Sequence, residues 1–226
     1  MDKVLSDIGK LRKAVLARIQ ASAQQAARPP SEICLVAVSK RQSQQKIDAL
    51  WQVGQRVFGE NQIAEAEQHW PSSRRQEKGF RLHLIGHLQS NKAERAIVLF
   101  DVIETLSSIK LAVALDKAMM KTGRHPQIFV QVNTGEEPQK HGINPMELPQ
   151  FLEQLSQQTN IKPVGLMCLP PQQDEAGLHF ALLAKLGARA GLSKLSMGMS
   201  ADFETAIRFG ATSVRVGSSL FGERET

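Results

Sequence analysis

The sequence predicts an α/β fold, a single closed (β/α)8 barrel of the TIM type, and three observations carry that prediction. Short apolar segments rich in β-branched residues alternate with longer segments of helical periodicity. The alternation runs through eight strand-helix pairs, the count that closes a parallel barrel. The length of 226 residues suits one lean barrel and leaves nothing over for a second domain, so residues 1–226 are expected to form one unit. An open doubly wound sheet is the main alternative.

Taken in order, Val4, Leu5, Ile8, Leu11, Val15, Leu16 and Ile19 repeat at helical spacing and predict an opening amphipathic helix, extra to the barrel, that ends before Pro29-Pro30. Ile33 to Val38 is too short for a typical helix and reads as the first strand, with a helix over 44–53. The next pairs are 56–59 with 61–69, 82–85 with 90–99, and 102–104 with 108–121. The pattern continues with 128–132 and 146–158, 162–167 and 174–189, 194–196 and 200–209, then 214–216 and a short terminal turn. Residues 74–79 read as a solvated loop.

Composition excludes several function classes. Hydrophobic residues make up 42% and charged residues 22%, which excludes global disorder. The net charge of +6 comes from 28 Lys+Arg against 22 Asp+Glu, but the basic residues are scattered without an aromatic-lined stripe, so nucleic acid is not an expected partner. No apolar run reaches the roughly 18 residues of a membrane helix, and the N-terminus lacks the apolar core of a signal peptide. Cys34 and Cys168 form neither a CxxC nor a paired framework, which reads as a reducing, cytoplasmic setting.

In such a barrel the reactive groups sit at the C-terminal ends of the strands. Lys40 ends the first strand, Asn61 follows the second, Gly86-His87 the third and Asn133 the fifth. A lysine there either snorkels into solvent or, desolvated, offers a neutral amine that condenses with an aldehyde. Ser196-Met197-Gly198-Met199-Ser200 leads into a helix with Ser200 as its expected N-cap, and Gly217-Ser218-Ser219 follows the last strand. Glycine amides and serine hydroxyls after strands seven and eight match the recurrent phosphate site of this fold. Arg215, between Val214 and Val216, points a charge into the barrel and needs a partner, either an ion pair or a ligand nitrogen. His83 and His87 lack the spacing and the neighbouring carboxylate of a metal triad, and no GxSxG, HExxH or P-loop pattern occurs, so no metal is expected.

Several segments in one order then resemble a known family. Ala37-Val38-Ser39-Lys40, Phe58-Gly59-Glu60-Asn61, the run from His83 to Lys92, Lys140-His141-Gly142, Ser196 to Ser200 and Val214 to Gly217 are similar to the pyridoxal phosphate homeostasis protein family. The similarity covers about Ile33 to Gly222. The resemblance implies a fold-type III barrel, like the N-terminal domain of alanine racemase, that holds pyridoxal 5′-phosphate as an internal aldimine. Lys40 would be the aldimine lysine, Ser200, Gly217 and Ser218 the phosphate ligands, and Arg215 the partner of the pyridine nitrogen, with Asn61 a rim contact. It implies a carrier or regulator of the cofactor, with apo forms of cofactor-dependent enzymes as partners and no catalytic residues assigned. Leu82, His87 and Ala64 depart from the family pattern, where Trp, Pro and Gln are usual.

Two other classes compete with the carrier. A racemase of this fold resembles alanine racemase, which sets a tyrosine against its lysine, and this chain has no tyrosine. An aldolase using Lys40 as its Schiff-base lysine would need the phosphate cradle but no cofactor.

Overall fold

The computed structural model describes residues 3–137 and 139–222. After the helix α1 (Lys3–Gln25) and a 3-10 turn at Pro30–Glu32, the chain runs β1 (Cys34–Val38), α2 (Gln44–Gln52), β2 (Val57–Glu60), α3 (Ile63–His69) and the short α4 (Ser72–Arg75). It continues as β3 (Arg81–Leu84), a 3-10 turn at Ser90–Lys92, α5 (Ala93–Leu99), β4 (Val102–Leu106), α6 (Ile109–Thr122) and β5 (Gln127–Val132). Then follow α7 (Leu148–Gln158), β6 (Gly165–Cys168), α8 (Ala176–Ala190), β7 (Lys194–Ser196), α9 (Phe203–Arg208), β8 (Ser213–Val216) and α10 (Ser218–Phe221). All eight strands are parallel in sequence order, and β8 pairs back onto β1 through Cys34–Ser213 and Val36–Arg215. The barrel is closed, as predicted, and the open sheet is excluded.

Strand alternation sorts the residues between two layers. Leu35, Ala37, Phe58, Val214 and Val216 face the helices and join the large apolar core there. Trp70 packs within this layer against tilted rings, its centroid 4.4 Å from Phe58 and 5.0 Å from Phe80. Inside the barrel a smaller apolar cluster of Val102, Phe129 and Met167 forms one plug. Beside the apolar Val36, the interior also holds the buried polar residues His83, Glu104, Ser196 and Arg215, which matters for the site below.

Three local expectations are corrected. The sixth strand starts at Gly165 rather than residue 162, because Pro163 has no N–H to give a ladder. The helix expected from residue 200 starts at Phe203, its cap position is Asp202, and Ser200 is therefore not its N-cap. Residues 74–79 are not all loop: Arg74 and Arg75 close α4, and Arg74 pairs with Asp48 and lies 5.5 Å from the Trp51 ring centroid.

Candidate functional site

At the C-terminal rim the loops after β7 and β8 meet. The Ser200 hydroxyl, freed from capping its own helix, accepts the amides of Gly217 at 3.2 Å and Ser219 at 3.5 Å. Gly198 makes this approach possible, since its φ of 91° suits glycine and an added Cβ would lie 2.5 Å from Ala206 Cβ. A Cβ on Gly217 would lie 3.6 Å from Val38 Cβ, so the cradle abuts the end of β1, two residues before Lys40. Ser218 is exposed beside it, and Lys40 and Ser200 are half-buried. The structure thus brings Ser200, Gly217, Ser218 and the end of β1, two residues before Lys40, to one sector of the rim.

Arg215 lies below that sector, 3% exposed, and both readings of its charge can be weighed against geometry. Nη1 donates to Ser196 Oγ at 2.5 Å, Nη2 donates to the Cys168 carbonyl at 2.7 Å, and Nη1 lies 3.7 Å from Glu104 Oε2. The ion pair therefore exists. The Nε–H makes no hydrogen bond to a described residue.

Glu104 was not singled out by the sequence, yet it organises the interior. Its Oε2 accepts Ser196 Oγ–H at 2.6 Å and its Oε1 faces His83 Nδ1 at 2.7 Å. Burial pushes its carboxyl up, but the hydrogen bond and charge of His83, the charge of Arg215 and the Ser196 hydroxyl outweigh that and hold it below the usual value. An ionised carboxylate only accepts, so His83 donates from Nδ1. The available signal was parity: Val102 and Glu104 share a face, and Val102 is in the interior plug.

Asn61 stands elsewhere on the rim, lining a cavity of about 280 Å³ with Gly86, His87, Asn133 and His141. Among the described residues no hydrogen bond joins it to Ser200, Gly217 or Ser219. Its backbone crosses β3 so closely that a Cβ on Gly86 would lie 2.2 Å from Asn61 O. His87 and His141 stack at this mouth, centroids 3.6 Å apart and planes 9° apart. Partial burial and the neighbouring imidazole lower the pKa of His87. Next to β1, Glu60 Oε1 accepts Ser39 Oγ–H at 2.7 Å, Trp70 Nε1–H at 3.2 Å and His69 Nδ1 at 2.8 Å, and the bond to Glu60 raises the pKa of His69.

Comparison with known proteins points the same way. Residues 12–225 match the family model for the alanine racemase N-terminal domain. A pyridoxal phosphate homeostasis protein of Pseudomonas aeruginosa is 36% identical, covering 100% of this chain and 97% of its own, and one of Bos taurus is 35% identical over 96% and 88%. PipY of Synechococcus elongatus, solved with pyridoxal phosphate bound, is 36% identical with a TM-score of 0.76, covering 91% of this chain and 100% of its own. Alanine racemase of Clostridium difficile shares the fold at a TM-score of 0.71 and 15% identity.

Proposed function

The chain belongs to the pyridoxal phosphate homeostasis protein family, and on that premise we propose that it holds pyridoxal 5′-phosphate at the rim and acts as a carrier or regulator of the cofactor. When bound, this group supplies an aldehyde that condenses with a primary amine and a heterocycle that can serve as an electron sink. The residues present fit it. Lys40 supplies the amine. The Gly217 and Ser219 amides, which both donate to Ser200 Oγ in the structure, and the Ser200 and Ser218 hydroxyls hold the phosphate. Arg215, fixed by Ser196, Cys168 and Glu104, offers its Nε–H to the ring nitrogen and favours that nitrogen unprotonated. Asn61 bounds the mouth.

The observation that carries this reading is the convergence of Ser200 on Gly217 beside the end of β1. An arginine opposite the ring supports carbanion chemistry poorly, and the absence of tyrosine removes the partner base of an alanine racemase-like reaction. The carrier reading therefore stands ahead of the racemase, and the Lys40 aldolase is displaced by relatives that bear the cofactor's name. Residues 1–226 act as one binding domain, the setting is cytoplasmic, and apo forms of cofactor-dependent enzymes are the recipients. No helix among the described residues is long and apolar enough to cross a membrane.

The experiment is a spectrum followed by timed transfer. The purified protein is expected to be yellow, and borohydride to fix the label on Lys40; Lys40→Ala that still fixed it at equal stoichiometry would refute the assignment. Transfer to an apo-enzyme with little racemisation of added amino acids is expected. Racemisation at about 1 to 1000 per second, the range of ordinary enzymes, would overturn the carrier reading.

A further inference from the structure

The opposite, N-terminal end of the barrel holds a cavity of about 550 Å³. In barrels of this class the interior is filled by layers of bulky branched side chains, four from alternate strands, and the floor serves stability. Here the odd strands contribute Cys34 from β1, Arg81 from β3, Gln127 from β5 and Lys194 from β7, and all four line the cavity. Apolar packing does not explain that choice.

Nor does internal pairing. Arg81, exposed to solvent at the open end of the cavity, makes no hydrogen bond or ion pair with a described residue. Among the described residues Lys194 Nζ donates only to the neutral amide oxygen of Gln127, at 3.1 Å. Glu32, the acid at the rim of the cavity, is taken by Arg28 at 3.5 Å, while Arg28 also donates to the carbonyls of Ile207 and Ala211. Ser213, 4% exposed, lines the same cavity with its hydroxyl buried and without a hydrogen-bond partner among the described residues. A buried hydroxyl without a partner is destabilising, so a ligand oxygen that pairs it is favoured. His83 presents its Nε2 edge to this end, because Nδ1 is committed to Glu104.

We propose that this cavity is a second binding site, which takes a small dianionic oxyanion of the phosphate type, recognised by Arg81 and Lys194. Two uncompensated cations match a dianion in charge, a guanidinium fork and an ammonium suit its oxygens, and Ser213 and His83 supply further polar groups. The site is distinct from the rim cradle: Cys34, Arg81, Gln127, Lys194 and Ser213 are the first residues of their strands, and none of them belongs to the set around Lys40. Its ligand touches His83, which bonds Glu104, which bonds Ser196 and pairs with Arg215.

Cys34 makes the test local. It is half-buried in the cavity wall, and burial pushes its thiol up to about 11, so it alkylates slowly and reports on what covers it. The protein is first loaded with pyridoxal phosphate so that the rim cradle is filled, then treated with iodoacetamide in inorganic phosphate or in chloride of equal ionic strength, and Cys34 modification is followed by mass spectrometry. Phosphate at about ten times its dissociation constant is expected to slow the reaction about tenfold, with no slowing in chloride. Arg81→Gln and Lys194→Gln, made separately, are each expected to abolish most of the protection. In the unmodified protein, phosphate is also expected to shift the His83 imidazole resonances, a readout that survives if either variant fails to fold. Equal rates in phosphate and chloride, protection that persists in both variants, or an unmoved His83 signal would overturn the site.

Discussion

Arg215 and Glu104 lie 3.7 Å apart inside the barrel, and the Ser196 hydroxyl bridges them. Removing one partner of a buried pair leaves the other charge uncompensated, at a cost of about 3–5 kcal/mol. Glu104→Gln is expected to lose stability of that order in a urea titration. A loss under about 1 kcal/mol would mean that Arg215 is neutralised by some other group.

The same carboxylate sets an acid limit. Its folded pKa is depressed, so its stabilising contribution is present above the ordinary carboxylate value of 4.5 and is lost as pH falls through the lower folded value. Wild-type protein is expected to lose stability over that interval more steeply than Glu104→Gln. Parallel curves of stability against pH for the two proteins would refute the assignment.

Ser200→Ala removes one hydroxyl of the cradle and leaves the amides of Gly217 and Ser219 in place. Release of pyridoxal phosphate to an apo-enzyme is expected to accelerate about tenfold, the effect of one hydrogen bond to a charged group at roughly 1.5 kcal/mol. Colour at the start is retained, since Lys40 is intact. An unchanged release rate would place the phosphate elsewhere.

Histidine titrations should diverge in a measurable way. The bond to Glu60 places His69 above the ordinary value of 6.5, whereas partial burial and His141 place His87 below it. For His69 the sign means stabilisation that is full below 6.5 and lost as pH rises through the folded value. Imidazole chemical shifts followed from pH 5 to 9, a window of about two units either side of neutrality, should resolve the two midpoints in that order. A reversed order would contradict both contacts.

Gly86→Val tests the close approach at the mouth. Its side chain would begin 2.2 Å from the Asn61 carbonyl oxygen, a backbone atom that cannot turn aside. Destabilisation of about 1–3 kcal/mol, the range for overpacking, is expected in thermal melts. A neutral melt would show that the β2 loop yields freely.

Much of this was readable before the fold was in hand, for a physical reason. Lys40, Ser200, Arg215 and Gly217 sit at or just past strand ends, where period-two patterns stop and one residue's position along the barrel follows from its own neighbours. Glu104 and Ser196 belong to β4 and β7 and are 92 positions apart, so their bond depends on how far the strands stagger when the sheet closes. Ser200 misled because a serine before a helix has two possible customers for its oxygen, its own helix and a neighbouring turn, and only the packed loops decide. His87 stacks on His141 across 54 positions, which no local pattern registers.

The first helix has a temporal consequence. Arg18 donates to Glu204 at 2.6 Å across 186 positions and lies 4.5 Å from the Phe203 ring centroid, and α1 packs on α9 and α10 as well as α2. On the ribosome, at roughly 5–20 residues per second, α1 emerges on the order of ten seconds or more before those partners exist. Throughout that interval Val15 and Ile19, buried in the finished protein, have nothing of α9 or α10 to cover them. The nascent chain therefore carries the α9- and α10-facing side of this amphipathic helix uncovered until those elements are made, and truncation near the C-terminus would leave it a client for chaperones rather than a smaller barrel.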